Sequence, residues 1–102
     1  MSKFIYAYHG GKMPESPEEV AKLMARWNAW VEDLGDAFVD PGNPVGMSKT
    51  VSSSGVADNG GANPLSGFSI VEADSIDAAV EMAKGSPHLD HGTIEVAEIK
   101  KM

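Results

Sequence analysis

The sequence predicts an α+β domain in the order strand, helix, strand, strand, helix, strand. Three observations point there. An aromatic and β-branched run, FIYAY (residues 4–8), stops at His9-Gly10-Gly11 and reads as a strand. Two segments with apolar residues at helical spacing follow, each opened by a capping residue and closed by a glycine. Short apolar stretches of strand character lie between and after them. Two βαβ-like halves of this kind make the split arrangement of ferredoxin-like folds, an antiparallel sheet with both helices on one face.

Each element has its own signal. Alternation in FIYAY sends Phe4, Tyr6 and Tyr8 to one face and Ile5, Ala7 and His9 to the other. In MPESPEEV, Ser16 is a good N-cap, Pro17 suits the first helical position, and Glu19 completes a capping box three residues past the serine. The acidic first turn also matches the helix dipole. Val20, Met24, Trp27, Val31 and Leu34 then recur at helical spacing, with Leu23 and Trp30 widening the stripe, until Gly35 stops the helix. DAFVD (36–40) starts a strand that PGNPVG (41–46) interrupts with two prolines and two glycines. MSKTVSS (47–53) is expected to resume it. GVADNGGANPLSG (55–67) has the glycine, asparagine and aspartate of a hairpin end or loop. Residues 47–66 thus form a hairpin or loop insertion within a single domain of residues 1–102. FSIVEA (68–73) is a strand. Asp74 or Ser75 caps the second helix, whose apolar face is Ile76, Ala79, Val80 and Ala83, and Gly85 and Pro87 end it. TIEVAEI (93–99) is the last strand.

A chain of 102 residues supports one small core. Two helices cover one face of such a sheet, and the other face carries apolar positions on several strands. Left bare, it is a large apolar patch, so a homodimer packed sheet to sheet with twofold symmetry is expected. The formal net charge of −7, with no basic stripe, argues against nucleic acid and acidic membranes as partners. The absence of cysteine excludes disulfides, cysteine-ligated zinc and thiol catalysis. No apolar run reaches the length of a signal-peptide core or a membrane span, so a cytoplasmic protein is expected. No cofactor is expected either: GVADNGG lacks the Gly-Lys-Ser/Thr ending of a phosphate loop.

The candidate site residues cluster near strand and helix ends. GSPHLDHG (85–92) holds His88 and His91 with Asp90 between them. Gly85 and Pro87 place both rings beyond the helix, where helical spacing no longer aims them together, so no metal site is expected. His88 is the stronger candidate. A helix C-terminus favours a cation, which makes it a proton donor or anion ligand; the alternative is a cap on the last helix carbonyls. Asp40, before PGNPVG, is a candidate carboxylate partner for a histidine, or an ordinary Asp-Pro turn. His88 and Asp40 are the candidate catalytic pair. His9, Tyr8, Trp27, Trp30 and Lys49 are candidate ligand contacts. Of the two tryptophans, Trp27 fits the core, whereas Trp30 is placed to line a pocket or subunit contact. Lys49 near Ser52, Ser53 and Ser54 has no supporting nucleophile motif.

The run GFSIVEADSIDAAVEMAKGSPHL followed by GTIEVAEI resembles the C-terminal half of YCII-related domain proteins. FIYAYHGG, the SPEE helix with its two tryptophans, and VDPGNPVG resemble the branch with a long serine- and glycine-rich hairpin. The resemblance implies a ferredoxin-like monomer and a dimeric α+β barrel. In some members a first-helix histidine pairs with a strand aspartate. This chain has no histidine between Ser16 and Leu34, so that pair does not carry over. The expected function is a cofactor-independent enzyme using general acid–base chemistry on a small molecule. It would work in a pocket between the sheet and the glycine-rich hairpin, lined by aromatic residues and one or two histidines. The alternative is a non-catalytic ligand-binding or protein-interaction module.

Overall fold

The computed structural model describes residues 1–11, 15–58 and 64–100. A four-stranded antiparallel sheet is formed by β1 (Ser2–Gly10), β2 (Phe38–Asp40), β5 (Leu65–Ala73) and β6 (Gly92–Glu98), in the order β2-β5-β1-β6. Helices α1 (Pro17–Leu34) and α2 (Ile76–Ala83) pack on one side of it. This is the ferredoxin-like order the sequence predicts. Both serine caps form, but the Glu19 carboxylate reaches the Glu15 amide rather than the Ser16 amide of a capping box. Ser16 accepts the Glu19 amide, and Ser75, rather than Asp74, accepts the Ala78 amide.

β1 is central because it pairs along its length with both β5 and β6. Its alternation holds: Phe4, Tyr6 and Tyr8 are buried among Val71, Ala73, Trp30, Ala79 and Ala83. Tyr6 is fully buried, and its hydroxyl donates to the Ala79 carbonyl at 2.5 Å, tying the sheet to α2. A buried phenol needs such an acceptor, since an orphaned hydroxyl costs more than the bond gains.

Three expectations change. The buried stripe of α1 is rotated: Leu23, Trp27, Trp30, Val31 and Leu34 face the sheet, while Val20 and Met24 are exposed. Aromatic bulk sets the rotation. Trp30 stacks near Tyr6 (ring centroids 6.2 Å apart) and meets Phe38 edge-on (5.3 Å), while Trp27 lies edge-on to Tyr8 (5.6 Å) and to Trp30 (5.4 Å). On α2, Ile76 and Val80 are likewise exposed, and Ala78 and Met82 reach the core beside Ala79 and Ala83.

The third change concerns residues 47–58. The stretch beginning at Met47 does not resume the sheet strand. Instead β3 (Lys49–Ser52) pairs with β4 (Gly55–Asp58) as a separate two-stranded hairpin. Every residue of both strands is exposed. The part of the predicted loop at 59–63 lies outside the described residues. The radius of gyration is 14.8 Å, against about 13 Å for a compact domain of this size. Among the described residues, no helix is long and apolar enough to cross a membrane.

Candidate functional site

His88 sits on a single turn of 3-10 helix, Pro87–Asp90. Ser86 caps this turn by accepting the His88 amide at 3.2 Å, and Ser86 and Pro87 are both buried. The imidazole reaches back to β1, where Nε2 lies 3.0 Å from the His9 carbonyl oxygen. A carbonyl only accepts, so Nε2 carries the proton. In the neutral ring, Nδ1 is then the lone-pair nitrogen. Nδ1 has no hydrogen-bond partner among the described residues.

Glycine makes room for this geometry. A Cβ on Gly92 would stand 2.5 Å from His88 Nε2 and 2.5 Å from the His9 oxygen, and one on Gly11 would stand 3.2 Å from His88 Cε1. Tyr8 supports the ring from below, with centroids 5.1 Å apart. The helix-capping alternative for His88 is not adopted. The carbonyls of Val80, Met82 and Ala83 receive the amides of Lys84, Gly85 and Ser86 instead.

A cavity of about 350 Å³ opens between α1 and the His88 turn. Glu19, Lys22, Leu23, Arg26 and Trp27 form the helix wall, and Gly11, Pro87, His88, Asp90 and His91 form the other. The Arg26 guanidinium bridges the two walls, with Nη1 2.5 Å from Asp90 Oδ2 and Nη2 3.3 Å from Oδ1. This forked bond, helped by the Arg26 and His91 charges, holds the Asp90 carboxyl below the usual carboxylate range. Glu19 is engaged at the helix cap, where its Oε2 accepts the Glu15 amide at 3.2 Å. A second hollow of about 300 Å³ lies beside the base of the hairpin, lined by Gly10, Gly11, Val45–Ser48 and Pro64–Ser66. The two hollows share Gly11. The cavity with histidines and an aromatic wall is therefore the one beside α1, not the one beside the hairpin as the sequence suggests.

The predicted site residues divide accordingly. His88 and Trp27 line the cavity beside α1, and so does the exposed His91. Asp40 does not meet His88. It lies on β2, the edge of the sheet opposite β6, and its Oδ1 accepts the Gly42 amide at 2.8 Å in an Asp-Pro turn. The His9 side chain projects to the open face of the sheet and meets Glu95 at 3.1 Å; its backbone carbonyl is what orients His88. Tyr8 is buried. Its hydroxyl donates to Ser69 at 2.8 Å, and Ser69 donates to the Pro41 carbonyl at 2.8 Å; burial raises the phenol's pKa. Trp30 is core, donating Nε1–H to the Met82 carbonyl at 3.0 Å, so the two tryptophans exchange their expected roles. Lys49 pairs with Asp58 at 3.2 Å on the hairpin and lines neither hollow.

Sequence reasoning missed Glu19, Lys22 and Arg26. The signal was present: these residues recur at three- and four-residue spacing on one face of α1. Among the described residues, no group of three or more histidine, aspartate or glutamate side chains is placed to hold a metal ion.

No curated protein matches the chain. A solved structure with the same fold is 5-chloro-2-hydroxyhydroquinone dehydrochlorinase (TftG) from Burkholderia phenoliruptrix AC1100, in complex with 2,5-dihydroxybenzoquinone. It is 21% identical, with a TM-score of 0.54, over 98% of this chain and 94% of that one. The sequence model of the YCII-related domain matches residues 4–102, nearly the whole chain. The chain therefore belongs to the YCII-related domain family.

Proposed function

We propose that this chain is a cofactor-independent enzyme that uses His88 for general acid–base chemistry on a small molecule held in the cavity beside α1. The observation that carries the reading is the His88–His9 hydrogen bond. It fixes the ring and its tautomer, leaving Nδ1 free at a wall shared with Trp27. A neutral His88 takes a proton at Nδ1, and the protonated ring returns one from the same atom. The His9 carbonyl accepts from Nε2–H throughout. Positioned proton transfer of this kind contributes about a hundred- to ten-thousand-fold in rate. The cavity volume suits a small molecule. The dehydrochlorinase with the same fold acts on a small molecule too, which is consonant with the reading.

The functional unit in this reading is a homodimer. The open face of the sheet presents Ile5, Ala7, Phe68, Ile70 and Ala97, with the His9–Glu95 pair among them. Two copies closing over that face would remove its apolar surface from water. The cavity beside α1 lies on the other side of the sheet and stays accessible in such a dimer. The second reading is a ligand-binding module without catalysis. It is favoured by the lack of a carboxylate partner for His88 among the described residues.

Proton NMR in deuterated water tests catalysis without a known substrate. The chain is incubated with a panel of small enolisable keto acids and hydroxyaromatic compounds, and loss of carbon-bound proton signals is followed. Exchange by wild type that disappears in a folded His88→Gln variant supports the acid–base reading. Exchange unchanged in the variant removes His88 from the mechanism. Binding without exchange by either protein leaves the ligand-binding module.

A further inference from the structure

We propose that Lys22 makes the cavity beside α1 selective for small aromatic anions, with an aromatic carboxylate as the representative ligand. The inference rests on reading that cavity as a small-molecule site. The chain is acidic, with eight lysines and arginines against fifteen aspartates and glutamates. The cavity wall departs from that balance: Lys22, Arg26 and two of the three histidines meet only Glu19 and Asp90 there.

Both acids are already engaged. Asp90 accepts both Arg26 guanidinium nitrogens, which neutralises Arg26 as well. Glu19 accepts the Glu15 amide at the start of the helix, which holds its carboxylate there without cancelling its charge. Lys22 is left as the lysine or arginine in this wall with no ion-pair partner within 4 Å among the described residues. It stands one helical turn before Arg26, on the same face of α1 as Leu23 and Trp27.

A cation beside a flat aromatic wall recognises a ring bearing a negative substituent. The apolar part lies against Trp27, and the anion meets an ammonium that no described residue holds in a hydrogen bond or ion pair. The volume, about 350 Å³, is near the small end of ligand sites and suits one ring rather than a nucleotide. A cationic ligand would meet Lys22 with like charge. A phosphate dianion would leave one charge unmatched, because Arg26 is held by Asp90. Since the whole chain repels anions at long range, selectivity arises at contact, and salt weakens it.

Calorimetric titration with benzoate and with its neutral isostere benzamide tests this on the full-length chain. Wild type and Lys22→Gln are compared, with Lys84→Gln at the end of α2 as a charge-matched control outside the cavity. Lys22 is exposed, so its replacement leaves the fold intact. Wild type and the control are expected to bind benzoate about tenfold more tightly than benzamide, the scale of one charge-assisted hydrogen bond. In Lys22→Gln the two Kd values converge. Equal binding of both probes by wild type overturns the anion selectivity and leaves the cavity as a ligand site. A benzoate preference that survives in Lys22→Gln assigns it to another residue and overturns the role of Lys22. No binding of either probe at millimolar concentration removes the cavity reading and this inference with it.

Discussion

Replacing Gly92 with alanine tests the geometry on which the site depends. The added methyl would sit 2.5 Å from His88 Nε2, 2.9 Å from Cε1 and 2.5 Å from the His9 carbonyl oxygen, all inside van der Waals contact. The carbonyl is held in the β1–β6 pairing, where Gly10 faces Gly92, so the imidazole is the group with freedom to move. Moving it breaks the Nε2–H bond to His9, worth about 1 kcal/mol. The remaining overlap with the backbone adds about 1–3 kcal/mol, as overpacking generally does. A loss of roughly 2–4 kcal/mol follows, which lowers Tm by at least about 8 °C in a domain of this size. Urea denaturation of Gly92→Ala, His88→Ala and the double variant separates the two parts. With the ring already gone, the methyl has only the carbonyl to meet. The double variant should therefore be more stable than the summed single losses require, by about 1 kcal/mol. Strict additivity would mean that Gly92 and His88 do not share this space, and the oriented tautomer would lose its structural basis.

Two further predictions concern titration. Burial, with a smaller effect from Tyr8, pushes the Tyr6 phenol up to about 12, and burial also raises Tyr8. These are the only tyrosines in the chain. Their raised folded-state pKa values give stability that is complete below the ordinary tyrosine pKa of about 10 and is lost as pH rises toward about 12. Spectrophotometric titration should show little phenolate near pH 10, then a rise together with unfolding; free ionisation near pH 10 in folded protein would contradict the burial. Asp90 shifts the other way. Its contribution is present above the ordinary carboxylate range and lost as acid protonates the lowered folded-state group. Carboxyl carbon NMR should show Asp90 titrating below the ordinary aspartate range, and Arg26→Gln should return it to that range.

What was legible in the sequence was local. The Ser16 cap on the Glu19 amide, the alternation of Phe4, Tyr6 and Tyr8, and the stop after α2 each lie within a few residues, and each forms as read. What was illegible depended on partners far along the chain. The rotation of α1 is set by which indole finds Tyr6 and Phe38, and residue spacing alone does not distinguish Trp27 from Trp30. A hairpin or loop at 47–66 was expected, but not that Lys49–Ser52 would pair with Gly55–Asp58 alone, in a sheet separate from β2. His88 stood out by its position after a helix. Its acceptor, the His9 carbonyl 79 residues away, and the Arg26–Asp90 clasp across 64 residues did not.

The nature of that acceptor bears on what the site can do. The family resemblance implies, for some members, a first-helix histidine paired with a strand aspartate. Here α1 carries no histidine; it contributes cations and an indole, while the imidazole comes from the opposite wall. A backbone carbonyl fixes the ring and tautomer as well as a carboxylate does, but it brings no full negative charge to stabilise an imidazolium. A proton taken at Nδ1 is therefore not trapped by an adjacent anion and is free to return to the ligand. Such an arrangement suits a shuttle that removes and replaces a proton on one bound molecule. It suits poorly the activation of a weak nucleophile such as a serine hydroxyl, which draws on a carboxylate-backed base. Placing the orienting group in the backbone also makes it immune to side-chain substitution at position 9. The geometry then rests on Gly92 and on the β1–β6 register, so a change of register between those strands would dismantle the site even with every side chain that lines it retained.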